Sequence, residues 1–184
     1  MASGAQAVTL NVVGGQLMGA SDVLVNGSLY DVQFLDGTCI DLYNGCDDVS
    51  DFTFQTNADA ALASQALLDQ VFLDVAAGAF DSVPSLTAGC ENPSECKVLT
   101  NDRGLLGGHF DLDRDVSFLF NTEPSTPDGI GLVSGLQIEA GFNSLYQSDF
   151  TFAVWSTVPQ PNTAVLLSLG LTGLAAKGRR RNRS

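Results

Sequence analysis

The chain has 184 residues, 45% of them hydrophobic, and a formal net charge of −13. That is enough apolar material for one domain with a core, and too much for a disordered segment. Five of the eight cations (Lys177, Arg179, Arg180, Arg181 and Arg183) fall at the C-terminal end, leaving Lys97, Arg103 and Arg114 against all 21 acids in the body; such a body repels phosphate chains, so nucleic-acid binding is excluded.

In chain order, Ala5-Gln6-Ala7 has the A-x-A form of a signal-peptide end, so residues 1–7 read as a signal-peptide remnant and the mature start falls near Val8. Val8 to Val13 reads as a strand. Val23 to Phe34 reads as two strands around Asn26-Gly27, a pair that suits a tight hairpin because both positions tolerate positive φ. Phe52-Thr53-Phe54 reads as a further short strand. A helix is expected from about 57 to 77: Thr56 or Asn57 caps it, and Asp59 sits in its first turn. Ala60, Ala63, Leu67, Leu68, Val71, Phe72 and Val75 recur at helical spacing, and Gly78 offers a stop.

Lys97 to Thr100, Phe110 to Phe120, Leu132 to Ile138 and Phe150 to Ser156 read as strands, the second with alternating apolar and acidic positions. The expected fold is α+β, strand-rich and antiparallel (β-sandwich-like), with one helix. The expected organisation is a signal remnant (1–7), an acidic globular domain (8–157) and a separate C-terminal segment (158–184).

Four cysteines form two close pairs, Cys39/Cys46 and Cys90/Cys96. Four cysteines allow three connectivities; the short spacings and the turn-rich segments between them favour the local bridges Cys39–Cys46 and Cys90–Cys96, and hence an oxidising compartment. Neither pair has zinc-site spacing.

Candidate chemistry is sparse. Asp111, Asp113 and Asp115 place carboxylates at alternate positions, as a calcium loop does, but the sixth and twelfth positions are Val116 and Thr122 where an EF-hand needs Gly and an acid. Strand alternation explains the same spacing. Asp36, Asp41, Asp47, Asp48 and Asp51 gather around the first cysteine pair as a second calcium candidate. His109 is the only histidine, with no serine elbow, phosphate loop or dinucleotide fingerprint in the chain. No catalytic residue and no cofactor are expected, calcium being the one candidate.

The C-terminal segment has three parts. Val158-Pro159-Gln160-Pro161 is a turn. Ala164 to Ala176 is mostly apolar and includes Ala164, Val165, Leu166, Leu167, Leu169, Leu171 and Leu174. The basic cluster follows at once. A span needs about 20 residues, with a lower limit near 17; counting from Pro161 to Lys177 reaches that limit, and the cations can snorkel. The positive-inside rule then puts the arginines in the cytoplasm and the body outside the inner membrane.

This arrangement resembles the PEP-CTERM sorting signal of Gram-negative bacteria, in which Val-Pro-Glu-Pro precedes a short transmembrane helix and an arginine-rich end; Gln160 stands here where the family has Glu. The stretch Asp36-Gly37-Thr38-Cys39, together with Phe52-Thr53-Phe54 and the helix after it, is similar to the N-terminal domain of some uncharacterised proteins with such tails. The resemblance implies processing near Pro159 by exosortase, a membrane-embedded cysteine transpeptidase. It also implies transient inner-membrane anchoring through the C-terminal helix, and a place at the cell surface or in an exopolysaccharide or biofilm matrix. The expected function is that of an exported non-enzymatic surface or matrix protein. The alternatives are a calcium-dependent binding or adhesion module and a secreted polysaccharide-acting hydrolase.

Overall fold

A computed structural model describes residues 7–102, 109–111, 116–131, 137–139 and 142–159. Its frame is one seven-stranded sheet. Strands β1 (Thr9–Val13), β2 (Gln16–Val25) and β3 (Ser28–Leu35) form an antiparallel meander. The β2–β3 turn is Asn26-Gly27 with φ of 46° and 85°, the doubly positive geometry that such a hairpin requires. A bulge follows Ala20, where Ser21 and Asp22 stand opposite Asp31; the Asp31 carboxylate takes the Asp22 N–H at 3.1 Å. The sequence's glycines and Ser21-Asp22 hide the first half of β2, which holds its register by these irregularities.

After β3 come a four-residue helix α1 (Cys39–Leu42) and the main helix α2 (Asn57–Gln70). Thr56 caps α2 reciprocally with Asp59: its hydroxyl oxygen accepts the Asp59 N–H at 3.2 Å and its O–H donates to Asp59 Oδ2 at 2.6 Å. The helix ends at Gln70, not near 77. Val71 and Phe72 continue the apolar stripe and are buried, but the chain has already turned away. Asp74–Val75 (β4) and Gly78–Ala79 (β5) then pair as a small hairpin, held by the Asp74 carboxylate on the N–H groups of Asp81 and Ser82.

The remaining strands are β6 (Glu95–Asn101), β7 (His109–Asp111), β8 (Val116–Thr122), β9 (Gly129–Gly131), β10 (Gln137–Glu139) and β11 (Phe150–Thr157). The large sheet runs β1-β2-β3-β11-β6-β8-β9, and β10 pairs separately with β7. The expected antiparallel sandwich is corrected here: β11 is antiparallel to β3 but parallel to β6, so the sheet is mixed, and no second large sheet packs on it among the described residues. β6 lies inside the sheet with a core on each face, Val98 in one and Leu99 in the other, which is why five of its seven residues are buried and clean alternation is lost.

Successive residues on a strand face opposite sides. On one side Val98, Leu119, Ala153 and Trp155 meet Ala60, Ala63 and Leu67, as α2 lies across β2, β6, β8 and β9. Alanines at the contact let the helix approach closely. On the other side Leu99, Phe118 and Phe152 are covered by Cys39, Cys46 and Phe52. Phe52-Thr53-Phe54, expected as a strand, pairs with none. Phe52 belongs to one core and Phe54 to the other, so the segment wraps around the end of the sheet.

Candidate functional site

Both disulfides are local, Cys39–Cys46 and Cys90–Cys96, each with Cα atoms 5.7 Å apart. All four cysteines are at most 1% exposed, one bridge in each core. Asn101 Nδ2 points at Cys39 Sγ from 3.2 Å. Two buried disulfides suit an extracellular or periplasmic location.

Three of the acids around the first bridge, Asp41, Asp48 and Asp51, are spent on turns. Asp41 accepts the Thr38 hydroxyl at 2.7 Å, Asp48 accepts the N–H and hydroxyl of Ser50, and Asp51 accepts the N–H groups of Asp47 and Asp48. Those bonds from Ser50 hold the Asp48 carboxyl below its usual range. Among the described residues no three His, Cys, Asp or Glu come together as a metal site. Asp111 lies on β7 opposite Gln137, while Asp113 and Asp115 lie outside the described residues.

Asp36 stands apart from these three. It lines a recess of about 310 Å³ with Gln16, Glu91, Ser144 and Tyr146. Ser144, 1% exposed, donates to Asp36 Oδ1 at 2.8 Å and accepts the Gly37 N–H at 3.0 Å. Burial raises the Asp36 carboxyl above its usual range, the Ser144 bond opposes this, and the Glu91 charge adds to it. Gly89, at φ +86°, closes the recess beneath: a Cβ there would lie 2.6 Å from both Asp36 Oδ1 and Thr151 Oγ1. The recess therefore offers one carboxyl raised above its usual range beside a second acid, with no histidine or free thiol in its lining.

A second recess, of about 320 Å³, opens at the far end of β3. Half-buried Tyr30 is its aromatic side, backed by buried Phe54 and Trp155: Tyr30 and Phe54 have ring centroids 5.0 Å apart, and Trp155 packs behind them at 6.4 and 5.4 Å. Asn26, Ser28 and Gln55 line it with exposed polar groups, and Leu62 of α2 forms the opposite side. Sequence reasoning placed Asn26 in a turn and Phe54 on a strand, but nothing in their spacing joined them.

The last described residues are Val158 and Pro159. The Val158 N–H still donates to Leu29 O at 3.2 Å, whereas Pro159 is exposed and has no N–H to give. Among the described residues, Val158 makes the last hydrogen bond to β3. Gln160, Pro161, Ala164 to Leu174 and the cluster Lys177 to Arg183 lie outside the described residues. Among the described residues no helix is long and apolar enough to cross a membrane. No protein-family model matches the chain, and no curated protein or solved structure matches it.

Proposed function

We propose that the chain is an exported, non-enzymatic cell-surface or extracellular-matrix protein, anchored transiently at the inner membrane by a PEP-CTERM-like tail and processed by exosortase. The carrying observation is the sequence of that tail: a Pro-x-Pro turn, an apolar run and an arginine cluster in immediate succession. Two features of the fold support the reading. Both disulfides are buried in the body, which suits an oxidising destination. The motif also begins directly after the last residue of β11, with Val158 still hydrogen-bonded to Leu29 and Pro159 exposed. A cut beyond Val158 would therefore leave the sheet whole.

The test is fractionation of a host carrying the sorting enzyme, with intact-mass measurement of the product. Wild-type chain should leave the inner-membrane fraction with both disulfides formed and the residues after the motif removed. Replacing Pro159 and Pro161 together by alanine should hold an uncut form in that membrane. Identical processing of the two chains would defeat the sorting assignment, and recovery of reduced, uncut protein from the cytosol would defeat export.

A further inference from the structure

We infer that the recess between the Asn26-Gly27 turn, the segment 53–55 and the first turns of α2 binds a neutral carbohydrate. The inference stands on the recess alone and does not depend on the fate of the tail.

Size comes first. About 320 Å³ lies at the lower end of the range of small-ligand sites, room for a sugar ring or two in an open recess. Chemistry then narrows the class. No Lys, Arg or His lines the recess, so nothing there would hold an anion. Its one acid, Asp59, already accepts the Thr56 hydroxyl in the helix cap, so a cation finds no dedicated counter-charge. Asn26, Ser28 and Gln55 make the lining mainly polar, which argues against a lipid chain. What remains is a neutral ligand with an apolar face and many hydroxyls. A pyranose has that shape: its axial C–H face packs on an aromatic ring while its equatorial hydroxyls meet amides, each of which both donates and accepts.

The wall is also built before any ligand arrives. Tyr30 is fixed by Phe54 and Trp155, and Trp155 Nε1 donates to Thr100 Oγ1 at 3.3 Å. Thr53 donates its hydroxyl to Trp155 O at 2.6 Å, which locks the segment carrying Phe54 and Gln55 to β11. Asn26 is held by a two-residue turn. Ordering costs on binding are thereby reduced. Since Thr157 pairs with Tyr30, the recess sits at the end of the sheet from which the chain runs into Val158 and Pro159.

The experiment uses the full-length chain in a zwitterionic detergent without a sugar headgroup. The protein is applied to an array of neutral hexose, pentose and N-acetylhexosamine oligosaccharides and of uronic-acid oligosaccharides. The best-retained glycan is then titrated while Trp155 emission is followed, Trp155 being the only tryptophan of the chain. Retention should favour neutral glycans, and titration should shift the emission. Gln55→Ala and Leu62→Arg, at exposed positions, should each weaken binding at least tenfold with unchanged thermal unfolding. Tyr146→Ala, in the other recess, should bind as wild type does. The proposal is overturned by an array with no retained glycan, by retention of uronic-acid chains alone, or by binding that survives both recess variants. Loss of binding in Tyr146→Ala would overturn it too, by moving the site.

Discussion

Gln70, the last residue of α2, closes a ring of two hydrogen bonds on Leu24: its Nε2 donates to Leu24 O at 2.9 Å, and its Oε1 accepts the Leu24 N–H at 3.0 Å. β1 pairs with β2 only as far as Ser21, so among the described residues Leu24 has no strand on that side. A side-chain amide stands in for one, blunts the strand's open edge and fastens the helix end to the sheet. Gln70→Ala should cost about 1 kcal/mol, the net worth of a partly exposed pair of such bonds. Urea denaturation measures it; a change within error would mean that water replaces the amide without loss.

Lys97 Nζ lies 2.6 Å from both Glu95 Oε1 and Asp149 Oδ2, and 4.9 Å from the Phe150 ring centroid. Burial works against its charge, but the hydrogen bonds and charges of the two acids outweigh it and raise its pKa above the ordinary 10.5. That stabilisation is complete below 10.5 and fades as pH rises through the raised value. Lys97→Met should cost about 1–2 kcal/mol at neutral pH, after allowing for solvent screening. The wild-type advantage should shrink in denaturation at strongly alkaline pH. An unchanged melting temperature at pH 7 would show the cluster to be energetically idle.

Asp74 and Asp36 titrate in opposite senses. The Ser82 hydroxyl, then the N–H groups of Ser82 and Asp81, hold Asp74 below its ordinary 3.8. Its contribution is present above 3.8 and is lost as pH falls through the lowered value. Burial raises Asp36, so its effect runs the other way: stability declines as pH rises from 3.8 through the raised value. Relative to wild type, Asp74→Asn should look worst at neutral pH and recover in acid. Asp36→Asn should compare better at neutral pH than in acid. Parallel pH–stability curves for both variants would refute these assignments.

The two bridges close short loops of seven- and six-residue separation, for which chain entropy gives about 2–3 kcal/mol each. With sulfurs buried in the two cores, a thiol reductant should leave the native protein oxidised and act only once denaturant opens it. Mass spectrometry after brief alkylation distinguishes this from ready reduction under native conditions, which would show that the cores open locally.

Local pattern made some of this fold visible in advance. The Asn26-Gly27 turn, a helix cap at Thr56 or Asn57 and the disulfide spacings each act over a few residues, and each is present, with Thr56 as the cap. The end of α2 was not visible, because Val71 and Phe72 keep helical spacing and are buried, yet reach their places from a non-helical turn. Phe52 and Phe54 alternate as a strand would, but that alternation serves two cores on opposite sides of one sheet. The parallel contact of β6 with β11 joins Lys97 to Phe150, and no signal within either segment encodes it. Both recesses share this obscurity: Tyr30, Gln55 and Leu62 meet only after the helix has docked.

β11 is the last strand in sequence among those described, yet it lies between β3 and β6 and is the only bridge joining the meander to the rest of the large sheet. A chain emerging N-terminus first must therefore wait. Its early half-sheet and its later one each keep an open edge until residues 150–157 arrive to close the seam, so closing the sheet rests on non-local contacts, the kind that slows folding. Folding is thereby tied to the far end of the sheet's sequence: the frame closes only once residues 150–157 are in place.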